Sequence, residues 1–368
     1  MNNIKERKAD HIEICLKEKV QASKIVTGFE DVSLVHRALP ELERQKIDIT
    51  TKVFDYTFSA PFFVGAMTGG TEKATKINIA LAEAVEELHI GMGVGSQRIA
   101  IDNPNVEKSF SVVREKAPTA FILANIGGPQ LVSKYGVKEV KKAIKMVKAN
   151  ALAIHLNPLQ EAIQPEGDCN SIGVLENIGL IVESVDVPVM VKETGAGISS
   201  RVASALESVG VSAVDVGGVG GTSWAAVEYY RALKENDAVK AQLGLDFWDW
   251  GIPTALSIIM VKDVTDLEVV ATGGIRSGID VAKSLALGAT AAGMAYPFLD
   301  PAVNGTTEDV IAEIEVHLEG LRTAMYLTGC QKVEELSECP LIIQGELKDH
   351  LESLDIDYLK IARGTITS

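Results

Sequence analysis

Four side chains able to bind a ligand or move a proton stand within seven residues: His155, Asn157, Gln160 and Glu161. An imidazole can relay protons, and the amides of Asn157 and Gln160 can orient a substrate. A single carboxylate beside a diphosphate commonly holds Mg2+, which keeps several waters and takes its other oxygens from phosphate. Each residue also has a plainer reading. A histidine at a strand end is often structural, and a glutamate in the first turn of a helix is favoured by the dipole. Glu161 has no metal-motif partner in sequence, so zinc spacing is absent. A second stretch, Gly273-Gly274-Ile275-Arg276-Ser277-Gly278, has the makeup of an anion cradle, and Ala295-Tyr296 would add amides to it. Glycines let backbone N–H groups face a phosphate, and Arg276 can add a charge-assisted bond. Lys192 ends an apolar run. It is a rim lysine, a Schiff-base lysine, or a cation beside the N1–C2=O edge of a flavin, which turns negative on reduction. Asn125 and Ser96 can hydrogen-bond the same ring. Met67, with Gly65, Gly69 and Gly70, offers a soft wall to a flat ring or is simply a core methionine. Arg7, Lys8 and His11 read from their surroundings as the solvated face of a helix.

These residues need elements that bring them together. Eight apolar runs recur along the chain: Phe62–Ala66, Ile90–Val94, Ala120–Ile126, Leu152–Leu156, Val187–Lys192, Ala213–Val216, Leu267–Ala271 and Thr290–Met294. They lack clean alternation, as strands buried on both faces do. Between them lie amphipathic segments such as 74–88, 137–149, 172–184, 201–209 and 281–287. Strand–helix alternation implies a parallel sheet, and eight units imply closure into an α/β, (β/α)8 TIM barrel. An open doubly wound sheet is the alternative. In a barrel the chemistry collects at strand C-terminal ends, where every residue named above from 66 to 296 falls. The expected layout is one domain over 1–368: an N-terminal extension at 1–58 with a helical start near 4–20, the barrel at 59–330, and a C-terminal extension at 331–368. A long insertion after strand six, residues 219–266, holds all three tryptophans and reads as a lid or subunit contact.

Composition excludes several classes. Thirty-five Lys+Arg against 50 Asp+Glu give a net charge of −15 with no basic run, so nucleic acid is not an expected partner. Four scattered cysteines with no CxxC pair fit neither a zinc site nor a disulfide framework. No apolar stretch reaches membrane-spanning length, and the N-terminal residues do not read as a signal peptide, so a cytoplasmic protein is expected.

Taken in order, Arg7-Lys8-Ala9-Asp10-His11, Met67-Thr68-Gly69-Gly70, Gly95-Ser96-Gln97-Arg98, His155 to Glu161, Lys192-Glu193, Gly220-Gly221-Thr222-Ser223-Trp224 and Gly273 to Gly278 closely resemble the type 2 isopentenyl diphosphate isomerases. The resemblance implies FMN, Mg2+, NADPH or NADH as reductant, and interconversion of isopentenyl and dimethylallyl diphosphate. It implies a homo-oligomer, tetramer or octamer. It turns Arg7 and Lys8 from surface charges into diphosphate ligands, able to reach a neighbouring subunit, with His11, Ser96, Gln97 and Arg98 beside them. Gln160 would touch the substrate, with His155 and Asn157 as further catalytic groups, and Glu161 would hold Mg2+. Ala66, Met67, Thr68, Ser96, Asn125, Lys192, Thr222, Gly274, Arg276, Ala295 and Tyr296 would hold FMN. The reaction adds a proton at one carbon and removes another two carbons away, through an electron-poor carbon that water would quench. Reduced FMN is the expected acid–base catalyst, with Gln160 and His155 orienting or relaying. Two rival flavin or nucleotide barrels fit less well. A 2-hydroxy-acid oxidase places a histidine after strand six, where this chain has 216–222 without one, and an inosine-monophosphate-dehydrogenase-like enzyme needs a cysteine in that loop. A non-catalytic flavin-binding scaffold is the remaining alternative.

Overall fold

The computed structural model describes residues 2–364, with side chains from residue 7 onward; positions 1 and 365–368, the outer ends of the two expected extensions, lie outside the described residues. Eight parallel strands close into a barrel: Phe62–Val64, Gly91–Gly93, Phe121–Gly127, Ala151–His155, Val189–Lys192, Ala213–Asp215, Glu268–Ala271 and Ala291–Met294. The last pairs with the first, Ala292 opposite Phe62. All eight expected runs are strands, several shorter than their apolar stretch. Nearly every strand residue is buried, because side chains alternate between the barrel interior and the helix layer and both are dry. A hairpin, Thr51–Val53 with Tyr56–Phe58, caps the lower end. There Phe54 stacks on Phe121 with centroids 5.8 Å apart, and Phe58 meets Phe63 edge-on at 5.0 Å. With the bottom sealed by aromatic rings, only the opposite face is open to ligands.

The insertion after strand six is shorter than its sequence suggests. Residues Thr254–Lys262 form the barrel's own helix between strands six and seven, packed against helix Ser200–Ser208 and strand Glu268–Ala271. That helix is buried on almost every side, so it carries no amphipathic stripe to read. The insertion proper contributes helices Trp224–Glu235 and Ala238–Asp246 above the open face. The N-terminal helix Asn2–Lys17 lies beside the first of these. The strap that follows is stitched down: Ser223 N–H donates to Val20 O at 2.7 Å, Ala22 N–H to Gly221 O at 2.8 Å, and the Trp248 indole to Gln21 O at 3.0 Å. Farther along, Val32–Leu34 pairs antiparallel with Leu341–Ile343, joining the two extensions.

Candidate active site

The strand ends surround one cavity of about 300 Å3 on the open face. At one side lies the glycine cradle. Gly273 and Gly274 have φ of +103° and +74°, and a Cβ on Gly274 would sit 2.5 Å from the Gly220 backbone, so only glycine fits. Among the described residues, the backbone N–H groups of Gly273, Gly274 and Ala295 have no protein acceptor, and all three border the cavity. Orphaned donors beside the N-terminus of helix Gly278–Ala286 are what a phosphate would satisfy. Arg276 stands over the Tyr296 ring at 5.2 Å, and its Nη2 donates to Gln21 Oε1 at 2.7 Å. Thr222 also meets Gln21, whose amide donates to the threonine hydroxyl at 3.3 Å. Ala66, Met67 and Thr68 line the opposite wall, while Asn125 and Lys192 line the floor. These groups fit a flavin mononucleotide: a phosphate cradle, a flat apolar wall and polar groups for the ring edge.

A second end is cationic. Arg7, Lys8 and Arg98 all border the cavity. The sequence reading let Arg7 and Lys8 reach a neighbouring subunit; here the cavity of their own chain receives them. Lys8 Nζ donates to Ser96 O at 3.0 Å and lies 5.2 Å from the Phe110 ring. Burial first, then Arg7 and Arg98, pull its ammonium down to about 7. Arg7 donates to Gln164 Oε1 at 3.3 Å, and its buried Nε has no partner. Three crowded cations with a spare donor form a site for a multiply charged anion. Gln97 does not take part. Its side chain is fully buried behind the wall, with Nε2 donating to Ala143 O at 2.9 Å and Oε1 accepting from Asn125 N–H at 2.9 Å. It braces strand three instead of meeting a ligand, because the turn that leads from Ser96 into helix Arg98–Asp102 points its side chain into the wall.

Between the two ends stand the groups from the loop after strand four. Asn157 Nδ2 donates to Gln160 Oε1 at 3.2 Å and to Glu161 Oε1 at 3.0 Å, and its buried Oδ1 is unpartnered. Glu161 Oε2 accepts from Gln164 at 2.5 Å and from Asp168 N–H at 2.7 Å. Among the described residues no group of three or more His, Cys, Asp or Glu could cage a metal. His155 Nδ1 meets Asn125 Oδ1 at 2.8 Å, and burial, followed by Lys192, Arg98, Lys8 and Arg7, pushes its imidazole down to about 3. At neutral pH the ring is therefore uncharged.

One group of residues escaped the sequence reading. Glu228, on the insertion helix Trp224–Glu235, is fully buried; its Oε1 accepts from Gln160 Nε2 at 2.9 Å and meets His11 Nε2 at 3.1 Å. Its Oε2 accepts from Arg231 at 2.6 Å, and Arg231 reaches Glu166 at 3.0 Å, which in turn lies 3.6 Å from Arg7. Burial alone would raise the Glu228 carboxyl; His11, Arg231 and Gln160 outweigh it and hold it at about 2. The signal was a Glu–Arg pair at i, i+3 within a helix otherwise rich in alanine and aromatics.

A family model described as FMN-dependent dehydrogenase matches residues 157–342. Curated relatives named isopentenyl-diphosphate delta-isomerase include those of Methanosarcina barkeri, 51% identical across 94% of this chain and 93% of that protein, and Archaeoglobus fulgidus, 52% identical across 94% and 98%. The relative of Pyrococcus furiosus is 49% identical across 94% and 88%. Among solved structures, a mandelate oxidase variant with 2-hydroxy-phenylacetamide aligns with a TM-score of 0.60 at 17% identity, covering 92% of this chain and 95% of that one. A flavocytochrome b2 variant aligns with a TM-score of 0.61 at 17% identity over 90% and 81%. Those distant structures share the barrel alone. The close relatives decide the family: this chain belongs to the type 2, FMN-dependent isopentenyl-diphosphate delta-isomerases.

Proposed function

We propose that the protein interconverts isopentenyl and dimethylallyl diphosphate with reduced FMN, with Mg2+ on the substrate diphosphate and NADPH or NADH as the reductant that primes the flavin. The observation that carries this reading is the division of one cavity into an amide-lined phosphate cradle and a cationic end, with neutral hydrogen-bonding groups between them. Gly274, Arg276, Ala295, Tyr296 and Thr222 would hold the flavin phosphate end, and Met67, Thr68, Asn125 and Lys192 its ring. When bound, reduced FMN supplies an electron-rich face beside a cationic carbon and a nitrogen able to carry a proton. Arg7, Lys8 and Arg98 would grip the diphosphate, with Glu161 completing the Mg2+ shell only once phosphate oxygens are present. Glu228 fixes the Gln160 amide by accepting its N–H, so Gln160 presents a defined face to the alkene. Ile12, Met67 and Trp224 border the same cavity and help keep water from a carbocation-like carbon. His155, held neutral, would orient without quenching that charge.

The 2-hydroxy-acid oxidase barrel shares the phosphate cradle, yet residues 216–222 place glycines where that chemistry needs a histidine base. A homo-oligomer is part of the proposal. A cytoplasmic setting is proposed too, and no helix among the described residues is long and apolar enough to cross a membrane. The test is anaerobic turnover of isopentenyl diphosphate with FMN and Mg2+, with and without NADPH. Turnover only after reduction, with no nicotinamide consumed per product, supports the reading. Stoichiometric nicotinamide oxidation, or silence despite bound FMN, rejects it.

A further inference from the structure

Four neighbouring strands each present one polar side chain to the cavity, Asn125, His155, Lys192 and Asp215 in strand order, and Thr272 follows directly after the end of the next strand. Register sets His155 beside Lys192 and Lys192 beside Asp215. Asp215 is the acid of this belt, and the function described above leaves it without a task. Its residue is 4% exposed. Its Oδ1 accepts from the Thr272 hydroxyl and from Gly217 N–H at 3.2 Å. Its Oδ2 lies 3.7 Å from Lys192 Nζ, with side chains 6% and 14% exposed. Lys192 Nζ also donates to Glu193 O at 2.7 Å. Oε2 of Glu193 accepts from the backbone N–H groups of Thr194, Gly195 and Ala196, which ties that carboxylate to its own loop, although its carboxyl, raised by burial, is still pulled down by Lys192. Burial raises the Asp215 carboxyl above its usual value, outweighing the downward pull of Lys192, Thr272 and Gly217.

We propose that Asp215 is a positioning residue that holds Lys192 at the cavity floor and offsets part of its charge, thereby setting the reduction potential of the bound flavin. This rests on the FMN reading. A cation at the ring edge favours the reduced, negative flavin. A carboxylate at close range in a buried site weakens that field far more than it would in water. The reduced ring is then less tightly held as an anion and more electron-rich, which is what stabilising a cationic carbon requires.

The experiment is the flavin midpoint potential, measured by equilibration against a redox dye, after FMN content has been determined for each protein. Asp215→Asn keeps an acceptor for Thr272 and Gly217 but removes the charge. It should raise the reduced-to-oxidised ratio at a given potential about tenfold, a shift of about 30 mV for a two-electron couple. In a Lys192→Met background the same substitution should give no shift, because the effect runs through the lysine. Thr272→Val releases the carboxylate toward Lys192 and should lower the potential; it carries the test if Asp215→Asn fails to fold. An unchanged or lowered potential in Asp215→Asn overturns the role, as does a full shift without Lys192, or no change in Thr272→Val. A protein that binds no FMN overturns the cofactor reading and this role together. A flavoprotein that turns over isopentenyl diphosphate with an unmoved potential overturns the role of Asp215 alone.

Discussion

At neutral pH the Lys8 ammonium is close to losing its proton, because burial and then Arg7 and Arg98 bring it to about 7. A multiply charged phosphate restores the charge, so substrate binding above this pH should take up about one proton. Calorimetry in buffers of different ionisation enthalpy measures it; Lys8→Met should abolish the uptake and weaken binding about tenfold or more. Affinity in the wild-type protein should fall as pH rises through about 7. Glu228 makes the opposite kind of contribution. Its carboxyl is depressed from 4.5 to about 2, so its stabilisation is complete above pH 4.5 and is withdrawn as pH falls toward 2. Glu228→Gln leaves the buried Arg231 with only Glu166 and Glu235. It should cost about 3 kcal/mol at pH 7. Urea midpoints for the two proteins should converge in acid, and persistence of the gap at pH 2 would show that the charge is not the cause.

The elements divide the labour. The barrel loops carry the phosphate cradle and Arg98, and the N-terminal helix carries Arg7 and Lys8, the other two cations proposed to grip the diphosphate, with the strap at residues 20–27 between them. Removing residues 2–17 should therefore leave FMN binding stoichiometric while raising the substrate KM at least 100-fold, about 3 kcal/mol of lost charged contacts. Joint loss of flavin would mean that the helix also supports the cradle. Gly274→Ala acts on the other element: its Cβ would meet the Gly220 backbone at 2.5 Å with φ at +74°. That variant should fold and lose flavin, visible as an absent absorbance near 450 nm.

Over the whole molecule, the two extensions close on each other. Val32, Leu336, Leu347 and Leu351 are all but fully buried where residues 32–34 meet the C-terminal segment. Truncation after Cys330 would bare the core beneath that segment, exposing Val32 and removing three leucines, each worth about 2 kcal/mol. We expect aggregation, or a urea midpoint far below that of the full chain; an unchanged midpoint would make the segment an appendage.

Strand number, parallel pairing and the cradle glycines were legible in the sequence because each is a local pattern: apolar runs of strand length, helical periods between them, Gly-Gly at a strand end. Strand-end polarity likewise indicated His155, Gln160, Glu161 and Lys192. Burial of helix 254–262 on nearly all sides erased its periodicity and merged it into the insertion. Gln97 sat in the right motif but on the wrong side of the chain, because alternation past a strand end depends on how the loop turns. Arg7 and Lys8 carried no local mark of burial; only the fold lays their helix over the cavity of the same chain. The couplings of Glu228 to Gln160 and of Asp215 to Lys192 join residues from separate elements, so their energies arise where strands and helices meet. One chain's local chemistry determined the inventory of reactive groups, and tertiary packing decided which of them face one another.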